Sequence, residues 1–364
     1  MNQQQIRQLL LSTLPPLEQE RRNIHKRIQQ YNFWSGMALG AGIIFVLTSI
    51  LLTNLFFGGA GASFSAFFVS GAFVILGVYL YKEHAAIEGQ FLRNSLEEQI
   101  KTEVYTPIFK AWNTSIQYLP KEQVKREYFQ LAALHEGYDN YKGEDFCEGV
   151  LKDGRKFQFS EVWAQREVYS SSSEQDYPSN SATVFRGLFF ILENTLPYAD
   201  FDGFLKIYPS LVEAPSVVDE PSLLPQKKSD KKHYENILDA DFLPVAPSSK
   251  KSSSKEALSS LFDRMYTVEE AEGEDELATT QLPLALTEQL GHLRSFFQQQ
   301  FSITFYNQKA YFSTRLPFDY LPVSVESSLI SEARIQHLVN NFWITFLVLE
   351  KIAEATVVTP SRKL

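Results

Sequence analysis

An uncharged stretch from Ile28 to Tyr81 constrains the fold of this chain more than any other feature. It holds two apolar runs, Phe33–Phe57 and Phe64–Tyr81, with a glycine-rich break at residues 58–61. Because roughly 20 apolar helical residues cross a bilayer core about 30 Å thick, the runs predict a transmembrane helical hairpin at residues 33–81. A signal peptide fits poorly, because a polar region precedes the first run. A buried hairpin in the core of a soluble domain is the other alternative.

The charges beside the two runs predict an orientation. Basic side chains precede the first run between positions 21 and 27, Lys82 and Arg93 follow the second, and the intervening loop carries no charge. The positive-inside rule therefore predicts a multi-pass membrane protein with both termini in the cytoplasm. The lipid bilayer is then the first expected partner.

Four glycines are candidate helix-packing positions: Gly36, Gly40, Gly71 and Gly77. Small residues allow helix backbones to approach closely. These positions predict either contact within the hairpin or a seam for self-association.

Composition excludes several classes of function. A net charge of −9 and a pI near 5.3 argue against a nucleic-acid partner. The single cysteine, Cys147, excludes an internal disulfide and a cysteine-rich metal site. The six histidines share no ligand-like spacing. We therefore predict no metal and no cofactor.

The pattern after the apolar runs predicts an α+β fold, with the hairpin followed by a cytoplasmic antiparallel-sheet domain and flanking helices. A stretch rich in Pro, Ser and Lys interrupts the domain and is typical of a flexible linker. The expected segments are a cytoplasmic N-terminal helix at 1–32, the hairpin at 33–81, juxtamembrane helices at 82–135, the first part of the β-rich domain at 136–208, the linker at 209–260, and the second part with a C-terminal helix at 261–356.

Turn residues place two β-hairpins within this domain. Asp153-Gly154 predicts a two-residue loop that pairs Val150 with Phe157 and Phe146 with Glu161. A second hairpin is expected around Asn307-Gln308. Further strands are expected at 184–193, which is apolar on both faces and therefore central, and at 204–208 and 261–268.

Three short motifs carry a resemblance to a known family. They are the segment at 138–145 (YDNYKGED), the segment at 159–162 (FSEV) with Gln165, and the segment at 184–190 (VFRGLFF). Their order and spacing resemble an uncharacterised bacterial membrane-protein family, catalogued as domain of unknown function 3137. The resemblance implies paired spans in a bacterial inner membrane and supplies no activity. It also suggests LemA-type membrane proteins as partners.

The candidate site residues are Glu144, Asp145, Glu161 and Arg186. Glu161 falls on an aromatic face of its strand, and Arg186 lies inside an otherwise apolar one. Because an unpaired buried ion is costly, these two residues predict a buried ion pair that fixes strand register. The alternative is a ligand-binding pocket with a perturbed carboxylate.

No catalytic motif can be assembled from the sequence, so an enzyme is the less favoured class. The leading hypothesis is a membrane-anchored cytoplasmic interaction or scaffold protein. The alternatives are a membrane-bound enzyme or ligand sensor that uses the carboxylate and Arg residues, and a subunit of a multi-span membrane complex. An open sheet edge would favour the interaction protein, and a deep pocket around Glu161 and Arg186 would favour the enzyme.

Overall fold

The computed structural model describes residues 1–57, 79, 83, 86–169, 178–196, 203–209, 266–270, 286–290, 301–316 and 319–356. The helices are α1 (Gln3–Phe57), α2 (86–100), a π-helical turn (Lys101–Tyr105), α3 (Thr106–Trp112), α4 (Arg126–Leu131), α5 (286–290) and α6 (Glu332–Ala355). The strands are β1 (Gln117–Leu119), β2 (Asn140–Val150), β3 (Lys156–Tyr169), β4 (Pro178–Glu193), β5 (Phe204–Pro209), β6 (Tyr266–Glu270), β7 (Phe301–Tyr306) and β8 (Lys309–Arg315).

The chain divides into two compact units. The first contains residues 1–6, 108–322 and 336–364, and the second contains residues 7–107 and 323–335. All the strands belong to the first unit, which we call the sheet unit. The second unit, the helical unit, contains most of α1 and all of α2.

The sheet unit is built on one sheet of eight strands in the order β1-β2-β3-β4-β8-β7-β5-β6, with every pair antiparallel. The predicted α+β class with an antiparallel sheet is therefore confirmed. β4 lies between β3 and β8, as its apolar sequence predicted.

Both faces of the sheet are covered by aromatic side chains. On one face Phe109 of α3 packs against Phe159 of β3 and Phe342 of α6, with ring centroids 6.0 and 5.1 Å apart. On the other face Phe129 of α4 packs against Phe185 and Phe189 of β4. This double coverage explains why β4 is apolar on both faces.

The hairpin between β2 and β3 forms where it was predicted, but with a different register. Leu151 N–H donates to the carbonyl of Arg155 at 2.8 Å, and Gly154 has φ +86°. The loop is thus one residue longer than a two-residue loop, with glycine in the left-handed position. This loop shifts the pairing by one residue, and a β-bulge between Glu144 and Cys147 shifts it by one more, so Glu161 pairs with Glu144 rather than with Phe146.

The later elements follow the sequence prediction closely. β7 and β8 form a hairpin around Asn307 and Gln308, whose φ values of +49° and +58° suit a tight turn. β5 and the C-terminal helix also form at their expected positions. β6 overlaps the strand expected at 261–268, of which residues 261–265 lie outside the described residues.

The prediction of a transmembrane hairpin at residues 33–81 is wrong. Among the described residues, no helix combines the length and the apolar character that a membrane crossing requires. Phe33–Phe57 is the C-terminal part of α1, one helix that starts at Gln3 and includes the charged residues before Ile28. The predicted multi-pass localisation with two cytoplasmic termini is therefore not supported either.

Several other sequence predictions fall wholly or partly outside the described residues. The second apolar run is described only at Tyr79, and neither Gly71 nor Gly77 is described. A Cβ atom placed on Gly36 or Gly40 would meet nothing within 4 Å among the described residues. The linker at 209–260 is described only at its first residue, Pro209. The packing role of the glycines and the linker stay predictions.

The helical unit brings α1 and α2 together. A Cβ atom on Gly89 would lie 3.8 Å from Cγ1 of Ile28. Leu17 and Ile24 of α1 are buried, as are Leu96 and Ile100 of α2. Ile87 and Phe91, near the start of α2, are exposed.

Candidate functional site

The structure brings the four predicted site residues together in the middle of the sheet. Glu144 and Asp145 come from β2, Glu161 from β3 and Arg186 from β4. A fifth residue, Asp319, joins them from the segment between β8 and α6. We call these five residues the acid–arginine cluster.

A β-bulge in β2 explains why two consecutive acidic residues contribute to one cluster. Neighbouring residues of a regular strand point to opposite faces. The register shifts between Glu144 and Cys147, and Asp145 has φ +58°. This left-handed backbone is uncommon for a residue other than glycine. The bulge thus places one carboxylate oxygen each of Glu144, Asp145 and Glu161 within 4.8 Å of one another.

Asp145 is fixed by two contacts. Its N–H donates to the carbonyl of Pro120 at 3.0 Å. Its Oδ1 accepts a hydrogen bond from the hydroxyl of Tyr118 on β1 at 2.5 Å. Since Asp145 is only 1% exposed, the hydrogen bond from Tyr118 replaces part of the solvation that the carboxylate loses on folding.

The surroundings of Glu161 shift the pKa of its carboxyl group strongly. Burial raises its pKa from 4.5 to about 7, and the neighbouring Asp145 and Glu144 carboxylates raise it as well. The Tyr320 N–H and the Arg186 guanidinium act in the opposite direction. The protonation state of Glu161 therefore changes near neutral pH.

Arg186 lies between two carboxylates. Its Nε is 3.7 Å from Oε1 of Glu161, so the predicted ion pair is present. Its Nη2 makes a closer ion pair with Oδ1 of Asp319, which is exposed. The guanidinium also lies over the indole of Trp163, 5.5 Å from the ring centroid. Arg186 is thus shared by a buried acid, an exposed acid and an aromatic ring.

Tyr320 fastens the segment before α6 to this cluster. Its N–H donates to Oε2 of Glu161 at 2.8 Å. Its carbonyl accepts a hydrogen bond from Nδ2 of Asn341, and its hydroxyl lies 2.7 Å from Oγ1 of Thr345. Burial raises the pKa of its phenol well above the usual range.

Sequence reasoning missed Asp319, Tyr320 and Tyr118, because each comes from a segment far along the chain from the cluster residue that it contacts. The only local signal is an Asp-Tyr pair flanked by prolines, at 317–322. That pattern is typical of an ordinary turn. Nothing in it indicates contact with the middle of the sheet.

The burial of the cluster limits its chemistry. Asp145 and Glu161 are 1% and 6% exposed, so neither presents its carboxylate to a substrate. The three carboxylates lie close enough to share a cation, but Asp145 and Glu161 already accept hydrogen bonds. Arg186 already supplies a positive charge. We therefore do not identify these residues as metal ligands.

Next to the cluster, β3 and β4 extend beyond both of their neighbours. Among the described residues, the pairing of β2 with β3 ends at Asn140 and Gln165. The pairing of β4 with β8 begins at Gly187, and one further backbone bond runs from the N–H of Leu316 to the carbonyl of Arg186 at 3.0 Å. β3 and β4 continue to pair as far as Tyr169 and Pro178. We call this extension, residues 165–169 paired with residues 178–183, the β3–β4 arm.

The β3 side of the arm is capped. The N–H of Asp139 donates to the carbonyl of Gln165 at 2.8 Å, and its side-chain Oδ2 accepts from the N–H of Glu167 at 2.7 Å. Nε of Arg166 also donates to the carbonyl of Gly137. Proteins commonly block exposed strand edges in such ways.

The β4 side of the arm, unlike the β3 side, is unpaired in the part of the chain that the structure describes. Among the described residues, no strand pairs with this side between Pro178 and Thr183. The carbonyl of Gln165 and the N–H of Glu167 point towards Asp139 and therefore away from β4. In an antiparallel pair, residues opposite each other either bond to each other or both point outward. Their partners in β4, Thr183 and Ser181, therefore point their own N–H and C=O groups away from β3. We call this side of residues 178–183 the open edge.

Side chains connect the open edge to the acid–arginine cluster. Nε1 of Trp163 donates to Oγ1 of Thr183 at 3.4 Å, and Nε2 of Gln165 donates to Oγ of Ser181 at 3.2 Å. Trp163 is 40% exposed, which is unusual for so large an aromatic residue. These contacts form one continuous polar and aromatic surface beside Arg186.

Comparisons of the chain with protein-family models, curated proteins and solved structures returned no match. The resemblance to the bacterial membrane-protein family thus stays a prediction. The geometry of the cluster and of the open edge is the basis for a functional proposal.

Proposed function

We propose that this protein is an interaction module that binds an extended, acidic segment of a partner protein along the open edge of β4. The single observation that carries the proposal is the row of outward-facing backbone groups at Ser181 and Thr183. An extended peptide can pair with such an edge and continue the sheet by one strand.

The contrast between the two sides of the arm supports this function. The β3 side is blocked by Asp139 and Arg166, whereas the open edge has no comparable cap among the described residues. An unprotected edge is a hazard for aggregation. Its retention beside a capped edge is the pattern expected when the edge has a binding role.

Charge supports an acidic partner. Nη2 of Arg315 donates to the carbonyl of Val184 at 2.9 Å, which places a guanidinium where the open edge meets β8. Arg315 is exposed. A carboxylate on an added strand could bind this guanidinium directly, and such charge-assisted hydrogen bonds are stronger than neutral ones.

Burial argues against the enzyme alternative. A catalytic acid or base must come within hydrogen-bond distance of its substrate. Asp145 and Glu161 are covered by β1 and by the Asp319–Tyr320 segment. The open sheet edge, in contrast, is the feature that sequence reasoning named as favouring an interaction protein.

A peptide library tests the proposal. The probes are synthetic ten-residue peptides in which Asp or Glu alternates with Val, Ile or Thr, with a matched library that carries Lys at the acidic positions. Binding to the full chain is measured by fluorescence polarisation. We expect acidic peptides to bind and their lysine counterparts to bind at least about tenfold more weakly, since a tenfold change corresponds to 1.4 kcal/mol.

Two variants locate the binding site. Ser181→Pro removes an N–H of the open edge and leaves the hydrogen bonds between β3 and β4 in place, so it should abolish binding. Arg315→Glu should reverse the preference towards the lysine library. The control is Lys152→Pro, an exposed substitution at a turn position that favours proline. Unchanged binding by Ser181→Pro would overturn the proposal.

A further inference from the structure

A short chain of contacts joins the buried carboxyl of Glu161 to the open edge. Nε of Arg186 lies 3.7 Å from Glu161, and the guanidinium lies 5.5 Å from the ring centroid of Trp163. The indole N–H of Trp163 donates to Oγ1 of Thr183, on the open edge, at 3.4 Å. Three contacts thus connect the cluster to the proposed docking strand.

In the structure Arg186 contacts Glu161 and Asp319 at the same time, so a proton on Glu161 would remove one of its two anionic partners. When Glu161 is ionised, it competes with Asp319 for the guanidinium and holds it over Trp163. When Glu161 carries a proton, Asp319 is the remaining anionic partner of Arg186 among the ion pairs described. Because Asp319 is exposed and Glu161 is buried, loss of the Glu161 charge would draw the guanidinium towards the protein surface.

The charged and titratable groups around Glu161 come from every element that packs against it. These are Glu144, Asp145 and Cys147 from β2, Tyr118 from β1 through Asp145, Arg186 from β4, and Asp319 and Tyr320 from the segment before α6. α6 contributes Asn341 and Thr345, which contact Tyr320, and His337, which lies 3.1 Å from Asn341. Within this set, Arg186 is the cation that contacts both Glu161 and Trp163, and Trp163 in turn donates a hydrogen bond to Thr183 on the open edge.

We propose that proton binding at Glu161 controls the position of Arg186 and, through Trp163 and Thr183, the ability of the open edge to bind its partner. This inference rests on the proposed function. The ionised carboxylate keeps Arg186 over Trp163 and so holds Thr183 in place for strand addition. Proton binding releases Arg186 towards Asp319, which loosens Trp163 and leaves the edge less ordered before binding.

The raised pKa of Glu161, about 7, places this change in the neutral range. Partner binding should therefore be tighter at pH 8 than at pH 6. We expect the dissociation constant of an acidic peptide to rise at least about fivefold over this interval, at the lower end of typical coupling between sites. Asp and Glu of the peptide stay ionised throughout, because their ordinary pKa values are near 4.

The first experiment needs no partner. The full chain is labelled with 5-fluorotryptophan, and the Trp163 resonance is assigned with Trp163→Phe. Its fluorine chemical shift should follow pH with a midpoint near 7, the pKa of Glu161, and Glu161→Gln should abolish this dependence. Trp112, which donates to Glu350 in another part of the sheet unit, is the internal control.

A second variant guards against misfolding of Glu161→Gln. Asp319→Asn alters an exposed carboxylate and leaves Glu161 as the sole anionic partner of Arg186 among the described ion pairs. An opposite charge nearby favours the ionised acid. The midpoint of the Trp163 titration should therefore move to lower pH in Asp319→Asn.

The second experiment measures binding of the same acidic peptide at pH 6, 7 and 8. A weaker affinity at pH 6 that becomes independent of pH in Glu161→Gln supports the inference. A constant Trp163 resonance, or binding that does not change with pH, overturns it while leaving the proposed function intact. Absence of peptide binding at every pH overturns the proposed function and the inference together.

Discussion

The backbone N–H of Tyr320 donates to Oε2 of Glu161 at 2.8 Å, and this bond attaches the segment before α6 to the middle of the sheet. The acceptor is a buried carboxyl group with two acidic neighbours. Glu161 thus both attaches the segment that contains Tyr320 and adds a third carboxyl group beside Glu144 and Asp145.

The first prediction concerns the stability of the wild-type chain as a function of pH. The pKa of Glu161 is about 7 in the folded state, against 4.5 for the free group. The folded protein therefore binds more protons than the unfolded chain between these values. The free energy of unfolding contributed by Glu161 is fully present below about pH 4.5 and falls by up to about 3 kcal/mol as pH rises through 7.

Glu161→Gln should remove this contribution. Urea titrations at pH 5, 6, 7 and 8 should show the variant gaining stability relative to wild type as pH rises. Glu148→Gln, on the same sheet but outside the cluster, is the control and should follow the wild-type profile. Parallel profiles for wild type and Glu161→Gln would contradict the prediction.

His135 should have the opposite effect at acidic pH. Its ring stacks on Phe185 with centroids 4.2 Å apart, and burial, together with the charges of Arg315 and Lys206, lowers its pKa from 6.5 to about 3. Between pH 6.5 and about 3, His135 binds a proton in the unfolded chain but not in the folded state. Stability should therefore fall as pH drops from 6.5 towards 3, by roughly 1.4 kcal/mol per unit.

His135→Phe keeps an aromatic ring in this position and removes the titrating group. Acid unfolding, followed by circular dichroism, should occur at lower pH in this variant than in wild type. His25→Gln in the helical unit controls for the loss of a histidine elsewhere. An unchanged acid midpoint in His135→Phe would rule out this role.

Arg155 should stabilise the end of α6. Its guanidinium is buried and donates to the carbonyl of Ala353 and to Oγ1 of Thr356. The last carbonyls of a helix have no partner within the helix. Arg155→Ala should thus lower the free energy of unfolding by about 2–3 kcal/mol. The neighbouring exposed Lys156→Ala is the control, and equal effects of the two variants would count against the capping role.

Gly187 should tolerate no side chain. A Cβ atom at this position would lie 2.0 Å from the carbonyl oxygen of Thr314, where β4 and β8 approach closely. Because backbone atoms cannot easily move aside, Gly187→Ala should cost about 3 kcal/mol or more in stability. Gly36→Ala, in a helix with nothing near the new methyl group, should instead stabilise by about 1 kcal/mol. A Gly187→Ala variant as stable as wild type in urea would show that the strands separate readily.

Local signals predicted the sheet strands well and the N-terminal region poorly. Asn307 and Gln308 define their hairpin because a tight turn needs residues that accept positive φ. The Asp153-Gly154 turn was also located correctly, but its loop length changed the strand pairing by one residue. The long apolar run suggested an independent membrane span, whereas it continues the helix that starts at Gln3.

The sequence by itself determined the alternation of strands and helices, the central place of β4 and the closeness of Glu161 to Arg186, because periodicity and turn chemistry act over a few residues. Only the tertiary structure decided the rest of the cluster. The bulge at Asp145 turns two consecutive acids to one side, and Asp319 and Tyr320 come from more than a hundred residues along the chain. The open edge is likewise decided by where β2 and β8 stop pairing, which depends on the assembled sheet rather than on any local segment.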